Sequence, residues 1–191
     1  MRKGERTRLE IIERARRLFM EKGFSGTSMS DICASLSLSR GGLYRHFSCL
    51  EEVFIACLKD DAEIWEQELD RVLGLGLDSR LILNRYLEVK EAEIQEGSGR
   101  LSLCVYEYLR LAQKPDSFIA SRFGLAVSML GRMLSYGKKR GELEINDVQA
   151  LSELLVTALD GIAIAYIAEN DKASLKRQLG QLKTMMLGGT N

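Results

Sequence analysis

Helix breakers and strand patterns are both scarce in this sequence of 191 residues. It has a single proline, Pro115, and no runs in which β-branched residues alternate with polar ones between turn clusters. An all-α fold is therefore expected. The composition, with 46% hydrophobic and 28% charged residues, is that of a globular chain with a sizeable core. It excludes intrinsic disorder and collagen-like repeats.

Long apolar runs are also missing. The longest uninterrupted one, at 161–168, is much shorter than the ~18 residues that a membrane-spanning helix needs. Charges interrupt every apolar window of residues 1–19, so no signal-peptide core is expected. The sequence thus predicts a cytoplasmic protein without a membrane segment.

Residues for metal binding and catalysis are few. The chain has one histidine, and its four cysteines, Cys33, Cys49, Cys57 and Cys104, lack the CxxC spacing of zinc sites. We interpret the cysteines as reduced thiols. No Ser/His/Asp or Cys/His arrangement, Glu-x-x-His pair or phosphate loop is found. The prediction is a protein without a metal or cofactor that is not an enzyme.

Charge is distributed unevenly, although the net charge is zero. Residues 1–50 carry 10 Lys or Arg against 5 Asp or Glu, and residues 51–191 carry 17 against 22. A basic N-terminal head on a mildly acidic body indicates a polyanionic partner for the head. The alternative is an ordinary solvated helix face.

Three short helices are predicted in the head. Apolar residues at helical spacing predict the first over 8–22, before Gly23. The second is expected over 28–36, because Ser28 and Asp31 have the spacing of a capping box, and Ser39 caps the third. A short helix, a brief turn and another short helix over 28–47 are the layout of a helix-turn-helix, whose second helix enters the major groove of DNA.

Leu43 and Phe47 must face the interior of such a bundle, so their neighbours point outward. These candidate DNA contacts are Arg40, Gly41, Tyr44 and Arg45. Arginine can bind guanine or phosphate, and a tyrosine hydroxyl suits a phosphate oxygen. Gly41 and Gly42 allow close backbone approach, although a tight internal turn would also explain them.

Several motifs between residues 23 and 54 carry a resemblance: Gly23-Phe24, Thr27-Ser28, Asp31-Ile32, Ser39-Arg40-Gly41, Leu43 to Phe47, and Glu51-Glu52. This segment resembles the DNA-binding domain of TetR-family transcriptional regulators. The resemblance implies that eight residues take the positions of DNA contacts: Ser28, Met29, Ser39, Arg40, Gly42, Tyr44, Arg45 and His46. For His46, an ordinary flank position is the alternative. The resemblance also implies a helix-turn-helix domain at 1–49 and a helical ligand-binding and dimerisation domain at 50–191.

The sequence departs from the family pattern at three places. Ser48-Cys49-Leu50 replaces a stretch that often contains a phosphate-binding lysine, Gly42 stands where serine or threonine is common, and Ser37 replaces a turn glycine. Fewer DNA-backbone contacts are therefore expected from these positions. The leading segment, with Arg2, Lys3, Arg6 and Arg8, is expected to contribute more.

Six longer helices are predicted in the body, over 50–73, 79–95, 100–113, 116–140, 148–169 and 174–186. The helix over 148–169 is apolar on two faces, one of which a second subunit could cover. The predicted dimer contacts are Leu155, Ala158, Gly161, Ile162, Ala165, Leu175, Leu179 and Leu182. The alternative is that both faces are covered within one subunit.

The body is also rich in aromatic and methionine residues, which are either core or the lining of a ligand pocket. The candidate ligand-binding residues are Trp65, Tyr86, Tyr106, Phe123, Met129 and Asp160. Asp160 lies in an apolar stretch, where a carboxylate needs a structural partner or favours a cationic ligand. The expected ligand is therefore a small apolar or cationic molecule.

These features together predict a homodimeric, sequence-specific transcriptional regulator. Two recognition helices about one DNA turn apart would read a palindromic operator in double-stranded DNA. The resemblance favours a repressor that a small-molecule ligand releases. The alternative is an architectural DNA-binding protein of the same fold without an inducer.

Overall fold

The computed structural model describes residues 3–97 and 99–187, and every regular element in this part of the chain is an α-helix. The all-α prediction is confirmed. The elements are α1 (Lys3–Lys22), α2 (Met29–Leu36), α3 (Arg40–Tyr44), α4 (Leu50–Gly74), α5 (Ser79–Gln95), α6 (Gly99–Leu111), α7 (Ser117–Lys139), α8 (Val148–Glu169) and α9 (Lys172–Met186).

The helix bounds follow the predicted caps closely, with two differences at the head. Helix α1 begins at Lys3 and not at residue 8, because charged residues with good helix propensity continue the helix without an apolar stripe. Helix α3 has five residues and ends at Tyr44, so Phe47 lies beyond it. Leu43 and Phe47 are nevertheless both buried, as the spacing predicts.

The chain forms two compact units. The first contains Met1–Ile64 and Arg100–Ala120. Its core includes the aromatic cluster of Phe19, Phe24, Phe54 and Tyr108, in which neighbouring rings lie 4.9 to 6.0 Å apart. This cluster ties α1, α4 and α6 to the loop before α2.

The second unit contains Trp65–Gly99 and Ser121–Asn191. In it α9 packs against α5 and α8, around fully buried residues such as Leu83, Leu134 and Leu155. Among the described helices, α8 is the one long and apolar enough by composition to cross a bilayer. Contacts with α5 and α9 bury part of the apolar surface of α8.

The division into a DNA-binding domain at 1–49 and a ligand-binding and dimerisation domain at 50–191 stays a prediction. The first unit holds the described part of 1–49 together with 50–64 and 100–120, so α4 and α7 each contribute residues to both units.

Candidate nucleic-acid interface

The start of α2 is fixed by the predicted capping box. Ser28 Oγ accepts a hydrogen bond from the Asp31 amide at 3.2 Å, and the Asp31 carboxylate accepts one from the Ser28 amide at 2.9 Å. Lys22 Nζ lies 2.6 Å from the same carboxylate. The hydrogen bond from Lys22, and then that from Ser28, hold the pKa of Asp31 at about 2. Charge and capping thus join the end of α1 to the start of α2.

The turn after α2 uses a left-handed residue. Ser37 has φ 54° and ψ 31°, and the next amide, that of Leu38, donates to the Cys33 carbonyl at 3.0 Å. Serine thus adopts the geometry for which the family uses glycine, at a conformational cost. The turn is preserved despite the substitution.

Helix α3 is capped by Ser39, whose Oγ accepts from the Gly42 amide at 3.1 Å. A Cβ on Gly42 would lie 3.2 Å from that oxygen, so the cap leaves little room for a side chain there. A Cβ on Gly41 would meet nothing within 4 Å. Gly41 therefore leaves open surface at the first turn of α3.

The predicted DNA contacts are exposed or half-buried on the helix-turn-helix. Arg40, Tyr44 and Arg45 are exposed, Tyr44 at 53%, while Leu43 between them is fully buried. Ser28 and Ser39 are also exposed, and Met29, Gly42 and His46 are half-buried. Their roles as DNA contacts stay predictions.

Three contacts within this region were not foreseen from the sequence. An Arg40 guanidinium nitrogen lies 3.4 Å from Ser30 Oγ, which links α2 to α3 across the exposed face. Arg8 stacks over the Phe47 ring at 4.2 Å and donates to the His46 carbonyl at 3.5 Å. No sequence spacing connects these pairs, because each spans a turn or a longer separation.

The leading segment is described in part. Arg6 is exposed, and its Nε lies 3.6 Å from Glu10 Oε1. Arg8 contacts the Phe47 ring. Arg2 and the side chain of Lys3 lie outside the described residues. Where the family often has a phosphate-binding lysine, the Ser48 amide and hydroxyl donate to Glu52 at 2.6 and 2.8 Å.

Helix α6 supports the helix-turn-helix from within the same unit. The Glu107 carboxylate accepts from the Phe24 amide at 2.7 Å and the Ser25 amide at 3.2 Å. Burial acts to raise the pKa of Glu107, but hydrogen bonds from Ser25 and Phe24 outweigh it and lower that pKa. Next to it, the Tyr108 hydroxyl donates to Glu51 at the start of α4. Glu107, although it lies in an apolar stretch, therefore supports the loop before α2.

Four of the six candidate ligand-binding residues, Trp65, Tyr86, Met129 and Asp160, are half-buried in the second unit. Trp65 and Tyr86 meet edge to face with ring centroids 6.3 Å apart, and Tyr86 and Met129 pack against the same core. The charge of Asp160 contributes to raising the pKa of Tyr86. Phe123 is 47% exposed in this unit, and Tyr106 is 48% exposed in the first unit. The six residues therefore do not form one cluster.

A surface groove of about 500 Å³ lies between α5 and α9, lined by Glu91, Gln95, Lys172, Ala173 and Lys176. None of the six candidates lines it. Among the described residues, no group of three or more His, Cys, Asp or Glu is placed to hold a metal ion.

The predicted dimer residues divide into two sets. Leu155, Ile162, Leu175, Leu179 and Leu182 are at most 6% exposed and belong to the core of their own subunit. Ala158 and Ala165 are half-buried, and Gly161 is exposed, with nothing within 4 Å of its Cβ position. The contact of a partner would therefore fall on the second set.

Comparison with known proteins shows what this region is similar to. The model of the bacterial regulatory proteins of the tetR family matches residues 11–57. The uncharacterized HTH-type transcriptional regulator YfiR of Bacillus subtilis is 25% identical over 83% of this chain and 78% of its own length. The HTH-type transcriptional repressor AcnR of Corynebacterium diphtheriae is 40% identical over 29% of each chain.

Solved structures share the fold. A TetR-family regulator from Agrobacterium tumefaciens has a TM-score of 0.80 at 16% identity, over 94% of this chain and 97% of its own. AibR, solved in complex with isovaleryl coenzyme A and operator DNA, has a TM-score of 0.65 at 18% identity, over 94% of this chain and 97% of its own. The family match lies on the helix-turn-helix, and the fold similarity extends over nearly the whole chain. The chain is therefore similar to DNA-binding transcriptional regulators of the tetR family, in sequence at the helix-turn-helix and in fold over nearly its whole length.

Proposed function

We propose that the protein is a homodimeric repressor that a small-molecule ligand releases from a palindromic operator. The observation that carries the proposal is the surface of α3 and its C-cap residue Arg45, where Arg40, Tyr44 and Arg45 are exposed around the buried Leu43. Guanidinium and phenol groups on such a helix suit base edges and phosphates in the major groove. The name of AcnR, a repressor, supports repression.

The DNA contacts in this proposal are the eight residues of the helix-turn-helix. Arg40 and Arg45 bind base edges or phosphates, and the Tyr44 hydroxyl binds a phosphate. Ser28, Met29, Ser39, Gly42 and His46 complete the surface. The functional domains are residues 1–49 for DNA and 50–191 for ligand and dimer, in a protein that acts in the cytoplasm, where operator DNA is accessible.

The dimer in this proposal forms through α8 and α9. One face of α8, formed by Leu154, Thr157, Gly161 and their neighbours, is uncharged and exposed, with Leu154 at 52%. Ala158 and Ala165 border this face, and their small side chains permit close helix approach. The buried leucines of α8 and α9 support it from inside the subunit. Two-fold symmetry matches a palindromic operator.

Release requires that a ligand favours a conformation of the dimer that does not fit the operator. The proposed ligand, apolar or cationic, binds in the second unit near Trp65, Tyr86, Met129 and Asp160, with Phe123 of the same unit as a further candidate. Tyr106 belongs to the first unit and stays a separate prediction. AibR, which was solved with both a ligand and operator DNA, supports control of this kind.

The proposal is tested by fluorescence anisotropy with DNA from upstream of the coding region, against scrambled competitor DNA and at two salt concentrations. We expect Tyr44→Ala and Arg45→Ala each to weaken specific binding about ten-fold, because each removes a contact to DNA. Loss of a phosphate contact should also reduce the slope of affinity against salt by about one.

Arg85→Ala is the matched control, since it removes one exposed arginine from the second unit without touching α3. Unchanged affinity in both α3 variants would remove α3 from the DNA contact. If scrambled DNA displaces the wild-type protein from every upstream fragment tried, an architectural role without sequence selectivity replaces the repressor.

A further inference from the structure

A lysine of α5 lies against two aromatic rings in the second unit. Lys90 Nζ is 4.3 Å from the centroid of the Trp65 ring and 5.6 Å from that of Tyr86. The two rings meet edge to face, with an interplanar angle of 73°. One ammonium group thus makes cation–π contacts with both rings.

A carboxylate lies beside the same ammonium group. Glu93 Oε2 lies 2.8 Å from Lys90 Nζ, and the two side chains are 30% and 25% exposed. Burial is the main cause of the raised pKa of Tyr86, and the charges of Glu93 and Asp160 raise it further. Carboxylates of α5 and α8 thus both act electrostatically on the phenol. This arrangement of aromatic faces and carboxylates stabilises a positive charge.

A lysine ammonium is readily displaced from such a site. The group is strongly hydrated and sits on a flexible four-carbon stem, so it regains hydration when it swings into water. An alkylated ammonium ion is hydrated less strongly and covers aromatic faces with more apolar surface. A free organic cation can therefore compete with the tethered ammonium.

We propose that Trp65, Tyr86, Glu93 and Asp160 form a binding site for an organic monocation, which the Lys90 ammonium occupies until the ligand displaces it. The regulatory meaning of this site rests on the proposed function, because it specifies the ligand class that would release the operator. Lys90 then acts as an intramolecular competitor. It lowers the apparent affinity by the fraction of molecules in which its ammonium fills the site.

The experiment uses the fluorescence of Trp65, which is the single tryptophan of the chain. The purified full-length protein, without DNA, is titrated with tetraethylammonium chloride at constant ionic strength. A neutral molecule of similar shape, 3-ethylpentan-3-ol, is titrated in parallel. We expect a saturable fluorescence change with the cation alone.

Variants of Lys90 test its role as the competitor. Lys90→Ala should bind tetraethylammonium at least five-fold more tightly than the wild type, whereas Lys90→Arg, which retains a cation, should bind as weakly as the wild type. Lys139→Ala, which removes an exposed lysine of α7, is the matched control and should match the wild type. If Lys90→Ala unfolds, as circular dichroism would show, Lys90→Met keeps an unbranched side chain of similar length without the charge and repeats the test.

Three outcomes overturn the proposal: no saturable change in either the wild type or the alanine variant, equal binding of the neutral alcohol, or weaker binding after removal of Lys90. The titration contains no DNA, so a failure to repress or to be induced cannot produce any of them. Conversely, tight binding of the cation without an effect on the operator complex would contradict the induction mechanism and leave the site intact.

Discussion

Single residues hold the helix-turn-helix through polar contacts at the helix ends. Ser28, Asp31 and Ser39 satisfy amides that the short helices α2 and α3 leave unpaired. Because a five-residue helix has little intrinsic stability, the position of α3 depends on its cap and on the burial of Leu43. Substitutions at these residues should therefore lower the free energy of unfolding of the first unit without changing its fold.

Asp31 makes the first unit sensitive to acid. Its pKa is lowered from 3.8 to about 2 by Lys22 and Ser28, so its ionised form stabilises the folded state. This contribution is complete above pH 3.8 and is lost as the pH falls towards about 2. We expect Asp31→Asn to lower the thermal midpoint at pH 7 and to have a smaller effect near pH 2. Circular dichroism melts over this pH range measure it, and a constant difference at all pH values would contradict it.

Ser37 offers a stabilising substitution. Its φ of 54° requires the left-handed conformation, which glycine adopts without a steric cost. Relief of this cost exceeds the entropy that glycine adds to the unfolded chain, so we expect Ser37→Gly to raise the free energy of unfolding by about 0.5 kcal/mol. Urea titrations measure the change. The control Ala34→Gly, at an exposed position inside α2, should lower stability by about 1 kcal/mol. A loss of stability in Ser37→Gly would show that the serine side chain favours this turn.

At the scale of helices, local signals predicted most of the fold. Helices α5 and α8 have the predicted bounds, because Asp78 and Asp147 cap them and Gln95 and Glu169 precede turn residues. The predicted exposed set on α3 also follows from the burial of Leu43. Contacts between distant helices, such as Glu107 with the loop before α2, were not predictable, since helical spacing carries no information about tertiary neighbours.

The ligand residues show the same limit. Six aromatic, methionine and acidic positions were chosen for composition, and the structure places Tyr106 in the first unit and exposes Phe123. Lys90, which contacts both Trp65 and Tyr86, was missed, because a lysine on an amphipathic helix ordinarily extends into water. The sequence thus identified the residue types of a site but not their grouping.

Helix α6 should control the order of the loop before α2. Glu107 accepts two amide hydrogen bonds, from Phe24 and Ser25. Glu107→Gln replaces a charged acceptor by a neutral one, so we expect these two amides to exchange with deuterium about ten-fold faster. Hydrogen exchange followed by NMR measures the rates. Glu63→Gln, an exposed change in α4, is the control. Equal protection in both variants would show that the loop does not depend on α6.

At the scale of the whole molecule, the uncovered face of α8 is the feature that a single chain leaves unexplained. An apolar helix normally buries its surface, yet Leu154 is 52% exposed and Gly161 is open to solvent beside it. The charge of the chain also divides, with a basic N-terminal quarter and an acidic remainder. A dimer through α8 would pair two basic heads on one DNA molecule, so its disruption should weaken DNA binding although no DNA contact is changed.

Gly161→Lys tests this dependence. A Cβ at this position meets nothing within 4 Å, so the subunit itself should tolerate the change and keep its helical content. In a dimer, the substitution would place two ammonium groups in an apolar contact, which is strongly unfavourable. We expect sedimentation to show a monomer and anisotropy to show operator binding weakened more than ten-fold, because one head binds without its partner.

Gly124→Lys on α7, where a Cβ likewise meets nothing within 4 Å, should leave both properties unchanged. A dimer that persists in Gly161→Lys would move the interface away from this face of α8, while loss of DNA binding in both variants would point to the added charge itself.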